Sequence, residues 1–147
     1  MSCPGCAEKR RYDGTSLRPE YRLTPPCNGW PGCFFDVSPG NDVSLCLLTT
    51  GRDDCKRFHL DRNKLQLLCT YRGPGTEGLH DVQVNREAQA RGAPDEDIIR
   101  CGRPSHFETF WVGIMKGDPG NTGCGLVHRS PPIAASEQVR VLFCLDC

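Results

Sequence analysis

The chain carries no net charge: eighteen Lys and Arg residues balance eighteen Asp and Glu. A cationic stripe able to follow a phosphate backbone is therefore missing, and nucleic acid is not expected as a ligand. No apolar run approaches the roughly 18 residues of a membrane span, and none follows Met1 as a signal peptide would, so membrane insertion is not expected. Aromatic residues are scarce at 7%, and hydrophobic residues reach only 37%. The Asn-x-Ser/Thr sequon is absent, with Asn121-Thr122-Gly123 the nearest approach. Walker loops and Gly-x-Ser-x-Gly are absent too, which removes the usual signatures of nucleotide triphosphatases and serine hydrolases.

What is abundant is punctuation. Sixteen Gly and twelve Pro in 147 residues favour short strands joined by irregular loops over a helical bundle. Strand patterning is clearest at residues 43–48, 64–71 and 139–143, where apolar side chains alternate. The apolar stretch from His106 to Met115 reads as a central strand, with Trp111 in the core. Weaker strand candidates are 33–37, 56–60, 79–84 and 124–129. Only residues 84–100 offer a helix, and Gly92 and Pro94 stop it after about two turns. The expectation is one domain over 1–147: an irregular cysteine-containing segment at 1–32 and a β core at 33–147. Its fold class is all-β, an antiparallel sandwich or barrel of about seven to nine short strands.

Eleven cysteines form the second abundance. Cys3-Pro4-Gly5-Cys6 and Cys144-Leu145-Asp146-Cys147 frame the chain, and two such pairs supply the four thiolates of a tetrahedral structural zinc site. Zinc bound by Cys3, Cys6, Cys144 and Cys147 would join the termini and leave no open position for substrate. Disulfides are the alternative for these pairs. Cys27 and Cys33 could form a second site or a bridge, and Cys46 and Cys69 read as small core residues within strands. Thiol-rich composition without a secretory leader favours a cytoplasmic or nuclear location, with an extracellular one as the alternative. The order His106-x-Glu108 then Cys144-x-x-Cys147 matches the ligand order of zinc deaminases, but no helix can follow Cys144 and the context fails. His59, His80 and His128 stand apart in the sequence and read as surface or hydrogen-bonded histidines.

Phe35-Asp36-Val37 followed by Asn41-Asp42-Val43-Ser44-Leu45 resembles the opening of the farnesoic acid O-methyltransferase-like domain. Val82-Gln83-Val84-Asn85-Arg86, then Phe107-Glu108-Thr109-Phe110-Trp111-Val112 with Gly113-Ile114, is similar to later segments of that family, and Pro131-Pro132-Ile133 has a counterpart before its last strand. The resemblance spans about residues 34–143. It implies a β-sandwich of the kind found beside lectin-like recognition domains, without the methyltransferase activity of its name.

The functional expectation is a non-catalytic, zinc-stabilised interaction module. Trp30 in its Gly/Pro loop, Asn41, Asp42, Asp118 and Asn121 are the candidate ligand-binding residues, since polar turn-forming loops present hydrogen bonds. A protein partner is favoured over a glycan. The rivals are a secreted disulfide-rich binding module and an enzyme of redox or group-transfer type.

Overall fold

Seven strands in two antiparallel sheets make up most of the regular structure in a computed structural model that describes Phe34 and residues 42–147. The larger sheet has the order β1-β7-β2-β5, built from β1 (Ser44–Thr50), β7 (Arg140–Asp146), β2 (Leu65–Arg72) and β5 (Val112–Lys116). The smaller has the order β4-β3-β6, from β4 (Ser105–His106), β3 (Glu77–Leu79) and β6 (Val127–Arg129). Both sheets are open, so the all-β expectation holds at the level of two antiparallel sheets and the barrel alternative does not. No four-thiolate site is seen among the described residues.

The larger sheet is held by the hydrophobic faces of its two central strands. Leu67 of β2 and Leu145 of β7 are directly opposed in the ladder and fully buried with Phe34. Phe143, Val112, Leu65 and Cys147 pack around them. Each such leucine removed from water contributes about 2 kcal/mol. The other face of these strands carries Leu68, Thr70, Arg140, Leu142 and Cys144, because successive side chains alternate sides. That face turns toward the smaller sheet: the Arg140 guanidinium reaches Thr76 and Ser130 there.

The far face of the smaller sheet is covered by two short helices, α1 (Arg86–Ala90) and α2 (Asp95–Ile98). Asn85 caps α1 by accepting a hydrogen bond from the Ala88 amide at 3.2 Å, and Gly92, at φ 66°, ends that turn. The breakers at 92–94 thus split the expected helix over 84–100 in two. Phe58, Leu79, Val84, Ala88, Ile98 and Val127 close the core beneath these helices.

Two expectations need correction. The run 106–115 is not one strand: Phe110 has φ 68° and the Trp111 amide donates to the Glu108 carbonyl, so the chain turns before β5 begins. Phe110 and Trp111 are 68% and 58% exposed, so Trp111 is not in the core, and the half-buried Phe107 ring packs on Gly113. Cys69 is buried as expected, whereas Cys46 is exposed because β1 lies at the sheet edge. Residue Phe34, inside the expected strand 33–37, is helical and buried.

Candidate metal centre

Residues Phe58 to Asp61 run extended along the open edge of β6. His59 and His128 exchange backbone hydrogen bonds of 2.9 and 3.1 Å, an isolated antiparallel bridge that continues the smaller sheet. The two-residue period then sorts this segment. Phe58 and Leu60 enter the helix-covered core, while His59 and Asp61 project from the opposite face. His128 lies directly across from His59 and shares that face. The ring centroids are 4.6 Å apart.

Three side chains converge as a result. His59 Nε2 and His128 Nε2 each lie 3.4 Å from a different oxygen of the Asp61 carboxylate. All three potential donor atoms fall within 4.8 Å of one another. Two ligands on one ion at about 2.1 Å are themselves about 3.0–3.4 Å apart, so the spacing suits a shared cation. His128 is buried, and the Asp61 and His59 side chains are 22% and 18% exposed.

The proton count is the telling feature. His59 Nδ1 sits 2.8 Å from the Arg57 carbonyl oxygen, and His128 Nδ1 sits 3.0 Å from that of Leu126. A carbonyl only accepts, so each Nδ1 must carry the proton and donate. A neutral ring then turns the Nε2 lone pair toward a carboxylate, which is repulsive. A proton on an Nε2, or a cation between the three groups, would relieve that repulsion. Metal-binding histidines are fixed in this way, through an Nδ1–H donated to a backbone carbonyl. Burial pushes the Asp61 carboxyl upward, yet the facing His128 and His59 rings outweigh it and hold it below the ordinary carboxylate range.

Asp61 is also positioned through its backbone. Its carbonyl accepts a 2.7 Å hydrogen bond from the Asp118 amide. Asp118 is buried, and its carboxylate accepts from the Thr122 amide, the Thr122 hydroxyl and the Gly123 amide, each at 2.8 Å. Arg62 donates to Asn121 Oδ1 at 2.8 Å. Of the residues expected to present ligand contacts, Asp118 thus braces the loop after β5 through its carboxylate, and the exposed Asn121 through its Oδ1.

Cys3, Cys6, Trp30 and Asn41 lie outside the described residues; Asp42 is exposed. Cys144 sits within β7, between Cys46 of β1 and Leu68 of β2. Cys147 continues the same ladder, donating its amide to the Leu65 carbonyl at 3.1 Å. Three residues apart on extended chain, the two thiols point to opposite faces of the sheet. A chelating pair needs both turned to one side. Burial pushes the Cys144 thiol up to about 12, helped by the charges of Asp146, Cys46 and Asp61 and partly offset by Arg140. His106 ends the edge strand β4 and pairs with Glu108 at 3.2 Å, so the deaminase ligand order is not assembled around it.

Sequence reading took His59 and His128 as solitary and passed over Asp61. The signal was present in Phe58-His59-Leu60-Asp61, a period-2 segment with two metal-ligating types on one face. Gly73-Pro74-Gly75-Thr76-Glu77-Gly78 also matches a dinucleotide glycine pattern after β2, but it leads into β3 instead of a helix, which removes the phosphate-binding terminus.

Fold and site together define a two-sheet β domain with a His-Asp-His cluster between a strand bridge and the sheet interior. Over residues 31–146 the chain matches the model of a family described as a protein of unknown function, DUF1826, and it belongs to that family. No curated protein and no solved structure matches it.

Proposed function

We propose that this domain is a metal-dependent enzyme whose divalent cation is held by His59 Nε2, Asp61 and His128 Nε2. The observation that carries the reading is the double Nδ1 anchor, which aims both Nε2 atoms at one carboxylate. Two imidazoles and a carboxylate fill three positions of an ion and leave others for substrate, the opposite of a closed four-thiolate structural site. A two-histidine, one-carboxylate set with open positions suits non-haem iron(II), whose bound form supplies dioxygen chemistry. The open positions move the reading from the expected non-catalytic interaction module to a catalyst.

The test is anaerobic titration with Fe(II), and with Mn(II) as a redox-silent substitute. One equivalent should bind, and Asp61→Ala and His128→Ala should each weaken binding by about 100-fold or more. Both variants binding as tightly as the parent chain would overturn the assignment, as would the absence of binding.

A further inference from the structure

Arg140 is the largest fully buried side chain among the described residues, at 2% exposure. Its hydrogen-bond partners are two hydroxyls: Nη1 donates to Ser130 Oγ at 3.1 Å and Nη2 to Thr76 Oγ1 at 3.2 Å. Its Nε has no hydrogen-bond partner among the described residues. Among the described residues no carboxylate lies within ion-pair distance of it, although Asp54 is near enough to be felt. A guanidinium withdrawn from water without a counter-ion is costly, on the order of several kcal/mol. Buried arginines normally meet a carboxylate or phosphate in a two-pronged fit.

The position of this charge matters. Ser130 follows His128 by two residues, so both project from the same face of the extended chain beyond β6. Continuing the register Glu77↔Arg129 and Gly78↔His128 places Thr76 across from Ser130. The two hydroxyls that hold the guanidinium are therefore one step, about 6–7 Å of strand, from the histidine of the metal cluster. On the facing sheet, Thr70 opposes Leu142, two residues from Arg140 and on the same side. Thr70 Oγ1 is another buried atom without a hydrogen-bond partner among the described residues. The Cys144 thiol, on that same side of β7, senses the charges of both Arg140 and Asp61. One interior face thus carries an uncompensated cation, a spare hydroxyl and the metal cluster.

We infer that Arg140, Thr76, Ser130 and Thr70 form an anion subsite for a small dicarboxylate, one carboxylate on the guanidinium and the other end on the metal. This rests on the metal reading above and names its ligand class. The strand step of about 6–7 Å between Ser130 and His128 is of the order spanned by a chain of a few carbons. A 2-oxo group beside the metal-bound carboxylate adds a second oxygen ligand, so a 2-oxo dicarboxylate fits best.

The test uses the full chain and two successive titrations. Mn(II) alone is titrated first, then repeated with succinate, 2-oxoglutarate or acetate present at saturating concentration. The dicarboxylates should tighten Mn(II) binding by about tenfold or more, 2-oxoglutarate most, and acetate should not. Arg140→Met should abolish that gain, and Thr76→Val with Ser130→Ala should reduce it several-fold if Arg140→Met fails to fold. Mn(II) binding with no gain from any dicarboxylate, or a gain that survives in the variants, overturns the subsite and leaves the metal site standing. A flat first titration overturns both.

Discussion

The two faces of the smaller sheet treat an arginine in opposite ways. On the helix-covered face, Arg129 donates to Glu77 at 2.6 Å and to Asp95 at 2.7 Å, and its guanidinium lies 4.5 Å over the Phe58 ring. Burial pushes the Arg129 guanidinium down, but hydrogen bonds to the two carboxylates outweigh it and raise it. On the inner face, Arg140 is more deeply buried and has hydroxyls alone, and burial pushes it down with only distant compensation from Cys144 and Asp54. Charge balance on the outer face is complete within the chain. On the inner face the Asp61 carboxylate meets two imidazole rings that share its oxygens, and a buried arginine has no carboxylate partner among the described residues. Interiors that serve stability satisfy their polar groups, whereas an unpaired buried charge beside a cluster of metal-ligating side chains marks a place suited to hold something else.

The strongest way to break this comparison is to replace each arginine by methionine, which keeps the length of the stem. Arg129→Met strands two largely buried carboxylates and should cost about 2–3 kcal/mol in urea unfolding. Arg140→Met removes a charge that no carboxylate balances, and in chelator-treated protein it should leave stability unchanged or raise it by about 1–2 kcal/mol. Equal losses in the two variants would show that both arginines are structural, and the contrast between the faces would be gone.

A smaller effect sharpens the same contrast at the thiols. Cys101 and Cys124 are exposed, whereas Cys144 lies on the inner face with its thiol pushed up to about 12. At pH 8 roughly one Cys144 in ten thousand would be thiolate, and the thiolate is the reacting form. Alkylation followed by peptide mass mapping should label Cys101 and Cys124 in the native protein and Cys144 only after unfolding. Labelling of Cys144 at the rate of Cys101 would place it outside the enclosed face.

The strands were legible wherever alternation was backed by burial on one side. Residues 64–71 and 139–143 predict β2 and β7 because Leu65, Leu67 and Phe143 must share a core face. Hydrophobicity misled where exposure was decided by backbone: nothing in Phe110-Trp111 announces that Phe110 adopts a left-handed conformation. The metal cluster failed for a different reason. Phe58-His59-Leu60-Asp61 shows which face His59 and Asp61 share, but His128 joins them through a single bridge between distant segments, and that pairing leaves no local trace in the sequence. The cysteine pairs, by contrast, advertise themselves by spacing, yet spacing presumes a turn, and Cys144 lies in a strand. Within the alternation at 139–143 Arg140 takes a polar position, and nothing in that pattern announces its burial, because burial of a charge is a tertiary fact.

The loop after β5 allows the finest test, because it joins the two kinds of polar site. Burial pushes the Asp118 carboxyl upward, but hydrogen bonds from Gly123 and Thr122 prevail and hold it below its ordinary value. A group whose folded value is depressed contributes fully above the unfolded value, about 3.9, and loses its contribution as pH falls through the folded one. Hydrogen-exchange protection of the Thr122 and Gly123 amides should therefore stay level from pH 7 to 5 and fall only under stronger acid. Asp118→Asn, which keeps one acceptor oxygen but no charge, should show several-fold weaker protection with no such acid step. A wild-type loss already between pH 7 and 5 would mean that a histidine, and not Asp118, controls the loop. Because the Asp118 amide also holds the Asp61 carbonyl, an Asp118→Asn chain that loosens this loop should bind Mn(II) more weakly while every metal ligand is still present.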